Sequence, residues 1–286
     1  MSFLETLLLG AIAGSTIYLG LPLGRVHWVG DRTRVALAMF SVGILTFIFM
    51  DVGSHAESIV AAALTSYKAH QSSLGPVVGL FLMLAIGFTL GTAGIASIER
   101  RLRPGATAPP ILGGEHAARL TPQELAAYRD AESQARRRAL QTGMTIAAAI
   151  GLHNFAEGLA IGVSAKTGAI ALATVLVIGF SLHNATEGFG IVGPLGSIRP
   201  SWRWLLLAGL IGGAPTFIGT LVGYQVQSRA LELAFYSLAG GAILYVVGEI
   251  WTGMRRYGHR TLGLCALSVG FLLGVATDLI IVLGGG

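Results

Sequence analysis

The sequence predicts an all-α integral membrane protein: eight transmembrane helices in a 3+2+3 arrangement, with spans 1–3 and 6–8 forming an inverted repeat. Three observations predict it. Hydrophobic residues make up 53% of the 286-residue chain and charged residues only 12%, with a mean hydropathy of +0.71. A soluble domain carries about twice that charge fraction. The apolar residues arrive in runs, each long enough to cross a hydrocarbon core of about 30 Å. The 41 glycines sit inside those runs, where small residues let helices approach closely.

The runs place spans at roughly 3–23, 34–54, 75–98, 140–163, 168–193, 204–225, 231–253 and 261–283, within a single transmembrane domain over residues 1–286. No charged segment and no cleavage site precede the first run, so Met1 onward reads as a span and not as a removed signal. One connection is long, the polar loop 99–139 with Pro104, Pro109 and Pro110. Within it, Thr121-Pro122-Gln123-Glu124 carries a helix-start signature and leads toward span four. Residues 103–118 read equally well as a disordered loop. The lone cysteine, Cys265, excludes a disulfide framework and a thiolate cluster. The pI near 9.7 does not point to nucleic acid, because the arginines stand in loops without interleaved aromatics.

Those arginines orient the chain. With the N-terminus outside, 16 of the 19 Lys and Arg residues face the cytoplasm, leaving Lys68, Lys166 and Arg229 outside. The positive-inside rule therefore predicts extracytoplasmic termini at both ends of a multi-pass inner or plasma membrane protein. The repeat is visible in the glycines. Gly10, Gly14, Gly20 and Gly24 of span one match Gly209, Gly213, Gly219 and Gly223 of span six. Gly43 and Asp51 of span two match Gly241 and Glu249 of span seven, and Gly87-Phe88 with Gly91 matches Gly270-Phe271 with Gly274. Spans one and six run in opposite directions, and inverted repeats around a central site are a transporter architecture.

The two middle spans carry the chemistry. Span four reads His153-Asn154-Phe155-Ala156-Glu157-Gly158, and span five reads His183-Asn184-Ala185-Thr186-Glu187-Gly188. On a helix, His at i and Glu at i+4 share a face, with Asn on its flank. Two such faces offer two imidazoles, two carboxylates and two amide oxygens, a donor set that suits zinc and tolerates ferrous iron, manganese or cadmium. A hydrogen-bonded packing role for these histidines is the simpler alternative. It explains the carboxylates badly, since each mid-membrane Glu costs about 2.5–3.5 kcal/mol when no cation is present.

The doubled motif, the 3+2+3 layout and the long third loop resemble the ZIP (Zrt/Irt-like) metal transporters, and within them the bacterial GufA-like branch. The resemblance covers essentially the whole chain. It implies uptake of a divalent metal into the cytoplasm and a homodimer in the membrane. It further implies an elevator-type carrier in which spans 1, 4, 5 and 6 slide against spans 2, 3, 7 and 8. The sequence departs from the family at three places. Ala156 and Thr186 replace the proline usual before each glutamate, which implies straighter helices. The stretch Gly213 to Gly219 lacks the acid that bridges a second metal, so one site is expected. His183 stands where relatives often carry Gln, which makes the site more zinc-like.

Asp51, His55 and Glu57 lie toward the outer end of span two as candidate entrance residues, although His55 and Glu57 read as well as interfacial residues. Glu249 marks a candidate exit, or else an ion pair with Arg255 or Arg256. His116 alone is too little for a metal-sensing tract, and Asp278 reads as a helix-end residue. No prosthetic group is expected; the partners are the metal cargo, the bilayer and a second copy of the chain. The rival readings are an intramembrane metalloenzyme and a non-transporting metal sensor or channel. The enzyme reading lacks the H-E-x-x-H pattern, in which the acid beside the first His is the general base.

Overall fold

A computed structural model describes residues 1–26, 30–102, 121–168, 170–196, 198–226, 228–255 and 257–283. The loop prolines and His116 lie outside them, as does Arg256. The regular structure is helical: α1 (Phe3–Ser15), α2 (Ile17–Gly20), α3 (Asp31–Lys68), α4 (Leu74–Thr89), α5 (Ile95–Leu102), α6 (Pro122–Lys166), α7 (Ile170–Val192), α8 (Trp202–Gln225), α9 (Arg229–Arg255) and α10 (Arg260–Leu283). A 3-10 turn over Leu21–Arg25 follows α2, and a π-turn over Leu90–Gly94 joins α4 to α5. Among the described residues, seven helical segments are long and apolar enough to cross a bilayer. The eighth element, α7, is 23 residues long and carries the second polar motif.

Local chemistry explains where several helices begin. Ser2 caps α1 through a capping box with Glu5, and the Ser201 hydroxyl accepts from the Trp204 amide at the start of α8. The helix-start signature at Thr121 and span four form one continuous helix, α6, of 45 residues. With no proline in either motif, α6 and α7 run unbroken through both. α3 extends to Lys68, well past the expected end near residue 54. The good helix formers Ala61-Ala62-Ala63-Leu64 carry it on, so His55 and Glu57 stand in mid-helix.

The helices fall into two sets. α6 packs extensively on α8, and α1 and α2 pack on α7 and α8; α3 packs on α9 and α10, and α4 on α9. The sets meet chiefly along α6–α9 and α3–α7, where the Ser41 hydroxyl donates to the Thr186 carbonyl at 2.9 Å. Glycines set these contacts, because van der Waals packing, not water exclusion, holds helices together in lipid. A Cβ on Gly14 would strike the Gly213 carbonyl, and one on Gly213 would strike the Gly14 carbonyl. Gly158 of α6 lies on the Thr216 carbonyl of α8, while Gly188 of α7 lies on the Ile17 carbonyl of α2.

Away from the polar motifs, one further carboxylate is buried among the described residues. Glu99, 4% exposed at the end of α5, accepts from the Tyr245 hydroxyl of α9 and from the Thr142 hydroxyl of α6. It ties three helices at the end of the bundle opposite the site described next.

Candidate metal-binding site

α6 and α7 bring the two H-N-x-x-E-G faces together in the interior. His153 is 1% exposed, Glu187 1%, and both asparagines are fully buried; the His183 side chain is the most accessible, at 12%. The two imidazoles converge on one oxygen. Glu157 Oε1 accepts from His153 Nε2 at 3.0 Å. His183 Nε2 stands 2.6 Å from the same oxygen without hydrogen-bond alignment. Glu187 Oε1 lies 4.0 Å from His153 Nε2. The four side chains thus meet each other, and among the described residues no three His, Cys, Asp or Glu side chains stand ready-formed around a coordination point.

The asparagines are placed by the neighbouring helices. Asn154 Nδ2 donates to the Gly212 carbonyl of α8 at 2.9 Å, and Asn184 Nδ2 donates to the Ala13 carbonyl of α1 at 3.0 Å. Ala13 and Gly212 are related by the same sequence offset as Gly14 and Gly213. Each amide is held by its nitrogen, and each Oδ1 is left buried without a partner. Also unpartnered and buried are both Glu187 oxygens, Glu157 Oε2, His153 Nδ1 and the Thr216 hydroxyl. Buried polar atoms in this number without partners are costly. A cation is the species that would satisfy lone pairs of this kind.

A cavity of about 460 Å³ reaches the site from one end of the bundle. His153, Glu157 and His183 line its inner part, and Asp51, His55, Glu232, Tyr236 and Asp278 line the rest. Asp51 Oδ1 lies 3.5 Å from His55 Nδ1, and the His55 ring lies 5.6 Å from that of Tyr236, tilted by 39°. Of the sequence candidates, then, Asp51 and His55 share a cavity with the central motifs. Glu57 is exposed and outside it. Glu249 lies thirteen residues beyond Tyr236, about 20 Å along α9, and is not brought to the site.

Two residues that line the cavity, Asp278 and Glu232, escaped the sequence reading. Asp278 read as a helix-end residue, yet it is a charge inside an apolar run, which is itself a functional signal in a membrane span. Glu232 drew no attention because it stands in the first turn of its helix, where an acid is ordinary.

A polytopic helical bundle with a buried imidazole–carboxylate cluster, reached by a cavity of about 460 Å³, defines a multi-pass membrane protein with a polar site in its interior. Residues 112–248, which contain both motifs, match the family model described as ZIP Zinc transporter. The chain is 31% identical over 131 residues to "Zinc transporter ZIPB" of Bordetella bronchiseptica, a match over 44% of this chain and 42% of that protein. It is 23% identical over 283 residues to "Zinc transporter ZupT" of Clostridium perfringens, over 96% of this chain and 93% of the relative. "Zinc transporter ZupT" of Streptococcus mutans is 23% identical over 273 residues, 93% of each chain. The chain is thus similar to ZIP zinc transporters, through its central residues in the family model and over most of its length in the ZupT relatives. That family and these relatives are named as transporters, not enzymes.

Proposed function

We propose that this protein carries divalent metal cations, zinc before ferrous iron, manganese or cadmium, across the inner or plasma membrane into the cytoplasm. The observation that carries the reading is the cluster of His153, Glu157, His183 and Glu187. It is buried, rich in unpartnered lone pairs, and open to one cavity.

A hydrated cation enters among Asp51, His55, Glu232 and Asp278, whose negative field concentrates it. At the inner end it exchanges water for the imidazoles and carboxylates. This breaks the His153–Glu157 hydrogen bond and frees both imidazoles from Glu157 Oε1 to turn toward the ion. Asn154 and Asn184, pinned through Nδ2, present Oδ1 as weaker ligands or orient the others. One cation is held, since the stretch Gly213 to Gly219 carries no acid to bridge a second. Its charge offsets the two buried carboxylates and lowers the cost of moving the site through the membrane.

The grouping of helices supports an elevator step in which α1, α2, α6, α7 and α8 shift against α3, α4, α5, α9 and α10. It also favours a homodimer held through the second set. The reciprocal contacts of Gly14 with Gly213, and of the two asparagines with equivalent carbonyls, support a pseudo-two-fold relation between the halves. With both termini outside, the cavity faces outward, and release runs past Glu249 on the opposite side. The departure from H-E-x-x-H weighs against the metalloenzyme.

Zinc flux into proteoliposomes loaded with a zinc-sensitive dye tests the reading. Flux in the wild type, abolished by Glu157→Gln with Glu187→Gln, is the expected result. Zinc binding without flux would make the protein a sensor, and undiminished flux in the double variant would sink the site.

A further inference from the structure

A second cavity, of about 480 Å³, opens at the other end of the bundle between α3, α9 and α10. α9 ends at Arg255 and α10 begins at Arg260. The reversal between them runs through Gly258 at φ 70° and His259 at φ 54°. The left-handed backbone costs little at glycine and more at histidine. It folds the chain back so that Arg255, His259 and Arg260 all line the same cavity. Among the described residues none of these three side chains has a hydrogen bond or ion pair, and no Asp or Glu lines the cavity. Its floor is apolar and belongs to the protein core: Val35, Met39 and Met254 are each 2–3% exposed. Trp251 lines one wall, at a span end where aromatic rings sit at headgroup level.

Unpaired guanidinium groups without a facing acid call for an anion, and their planar forks match phosphate. The depth of the cavity at the ends of three spanning helices, and its apolar floor and Leu264 wall, call for an anion that brings hydrocarbon with it. Arg32 and Arg34 also stand near the start of α3, but Arg34 is paired with Asp31 at 3.3 Å, and neither lines the cavity. We propose that the cavity between α3, α9 and α10 binds the phosphate of an anionic membrane phospholipid through Arg255, His259 and Arg260. Basic pockets between membrane helices commonly recognise such headgroups. All three helices belong to the set that stays still in the transport step, so the lipid clamps the stationary part of the molecule. The proposal does not depend on which metal is carried, or on whether any is.

The test titrates detergent-purified protein with phosphatidylglycerol, phosphatidylcholine or inorganic phosphate, and follows bound lipid by native mass spectrometry and stability by thermal unfolding. Phosphatidylglycerol is expected to be retained as a saturable adduct and to raise the melting temperature, with phosphatidylcholine and phosphate doing neither. Arg255→Gln with Arg260→Gln should weaken retention about thirtyfold, the equivalent of ~2 kcal/mol at about 1 kcal/mol per basic side chain. Arg203→Gln with Arg229→Gln, remote from the cavity, should leave it unchanged. Equal retention of both lipids by the wild type would overturn the proposal without recourse to any variant. Competition by phosphate alone would assign the site to a soluble anion instead, and equal losses in the two double variants would reduce it to general surface charge.

Discussion

Replacing Glu187 by Gln should move the empty and the zinc-bound protein in opposite directions. In the empty protein both Glu187 oxygens are buried, 1% exposed and without a hydrogen-bond partner. A carboxylate at that depth costs about 2.5–3.5 kcal/mol. A buried amide with unmade hydrogen bonds costs less, roughly 1–3 kcal/mol. The exchange therefore relieves on the order of 1 kcal/mol, worth about 2 °C in melting temperature for a chain of this size. In the bound protein the same exchange removes a charged ligand. If affinity falls about a hundredfold, zinc at 100 times the wild-type Kd, which stabilises the wild type by ~2.7 kcal/mol, stabilises the variant by only ~0.4 kcal/mol. Thermal unfolding in detergent with and without zinc reads both effects, and calorimetry gives the affinity directly. A variant whose empty form melts well below the wild type, or which keeps the full zinc-induced shift, would refute the reasoning. The first result would make Glu187 a structural partner, and the second would remove it from the site.

Other perturbations follow from the same geometry. Asp51→Asn with Asp278→Asn should raise the KM for zinc flux severalfold at low ionic strength while leaving zinc affinity at the central site unchanged, since screening erases the attraction of a cavity mouth; flux measured across a salt series checks it. Asn154→Leu should lower the melting temperature of the empty protein, because the Gly212 carbonyl loses its side-chain donor, at about 1 kcal/mol. Gly158→Ala should cost about 1–3 kcal/mol by driving a methyl group into the Thr216 carbonyl, and it should reduce folded yield in membranes. Tyr245→Phe withdraws a donor from the buried Glu99 carboxylate and should destabilise by about 1–3 kcal/mol without altering zinc affinity.

What could be read in advance tracks how local each feature is. The eight apolar runs and the His–Glu pairing on one helix face follow from composition and from a spacing of four residues, so the helices and the side chains that share each face are legible in the chain alone. The end of α3 was not, because the polar stretch from Asp51 to Glu57 looks like an exit from the membrane. In the structure the helix simply continues, and part of that stretch lines a cavity. Asp278 and Glu232 were passed over for a related reason. Each stands near a helix end in sequence, and only the approach of α10 and α9 to α3 brings them to the same opening as Asp51.

The sequence by itself determined which residues could face one another along each helix, since that depends on a fixed rise and turn per residue. Only the tertiary structure decided that both imidazoles meet at one oxygen of Glu157 and that the two asparagines hang from carbonyls of α8 and α1. It alone left both Glu187 oxygens without hydrogen-bond partners. Those outcomes depend on how closely the helices approach and at what angle they cross. Glycine contacts such as Gly158 on Thr216 and Gly188 on Ile17 set that approach, between residues far apart in the chain.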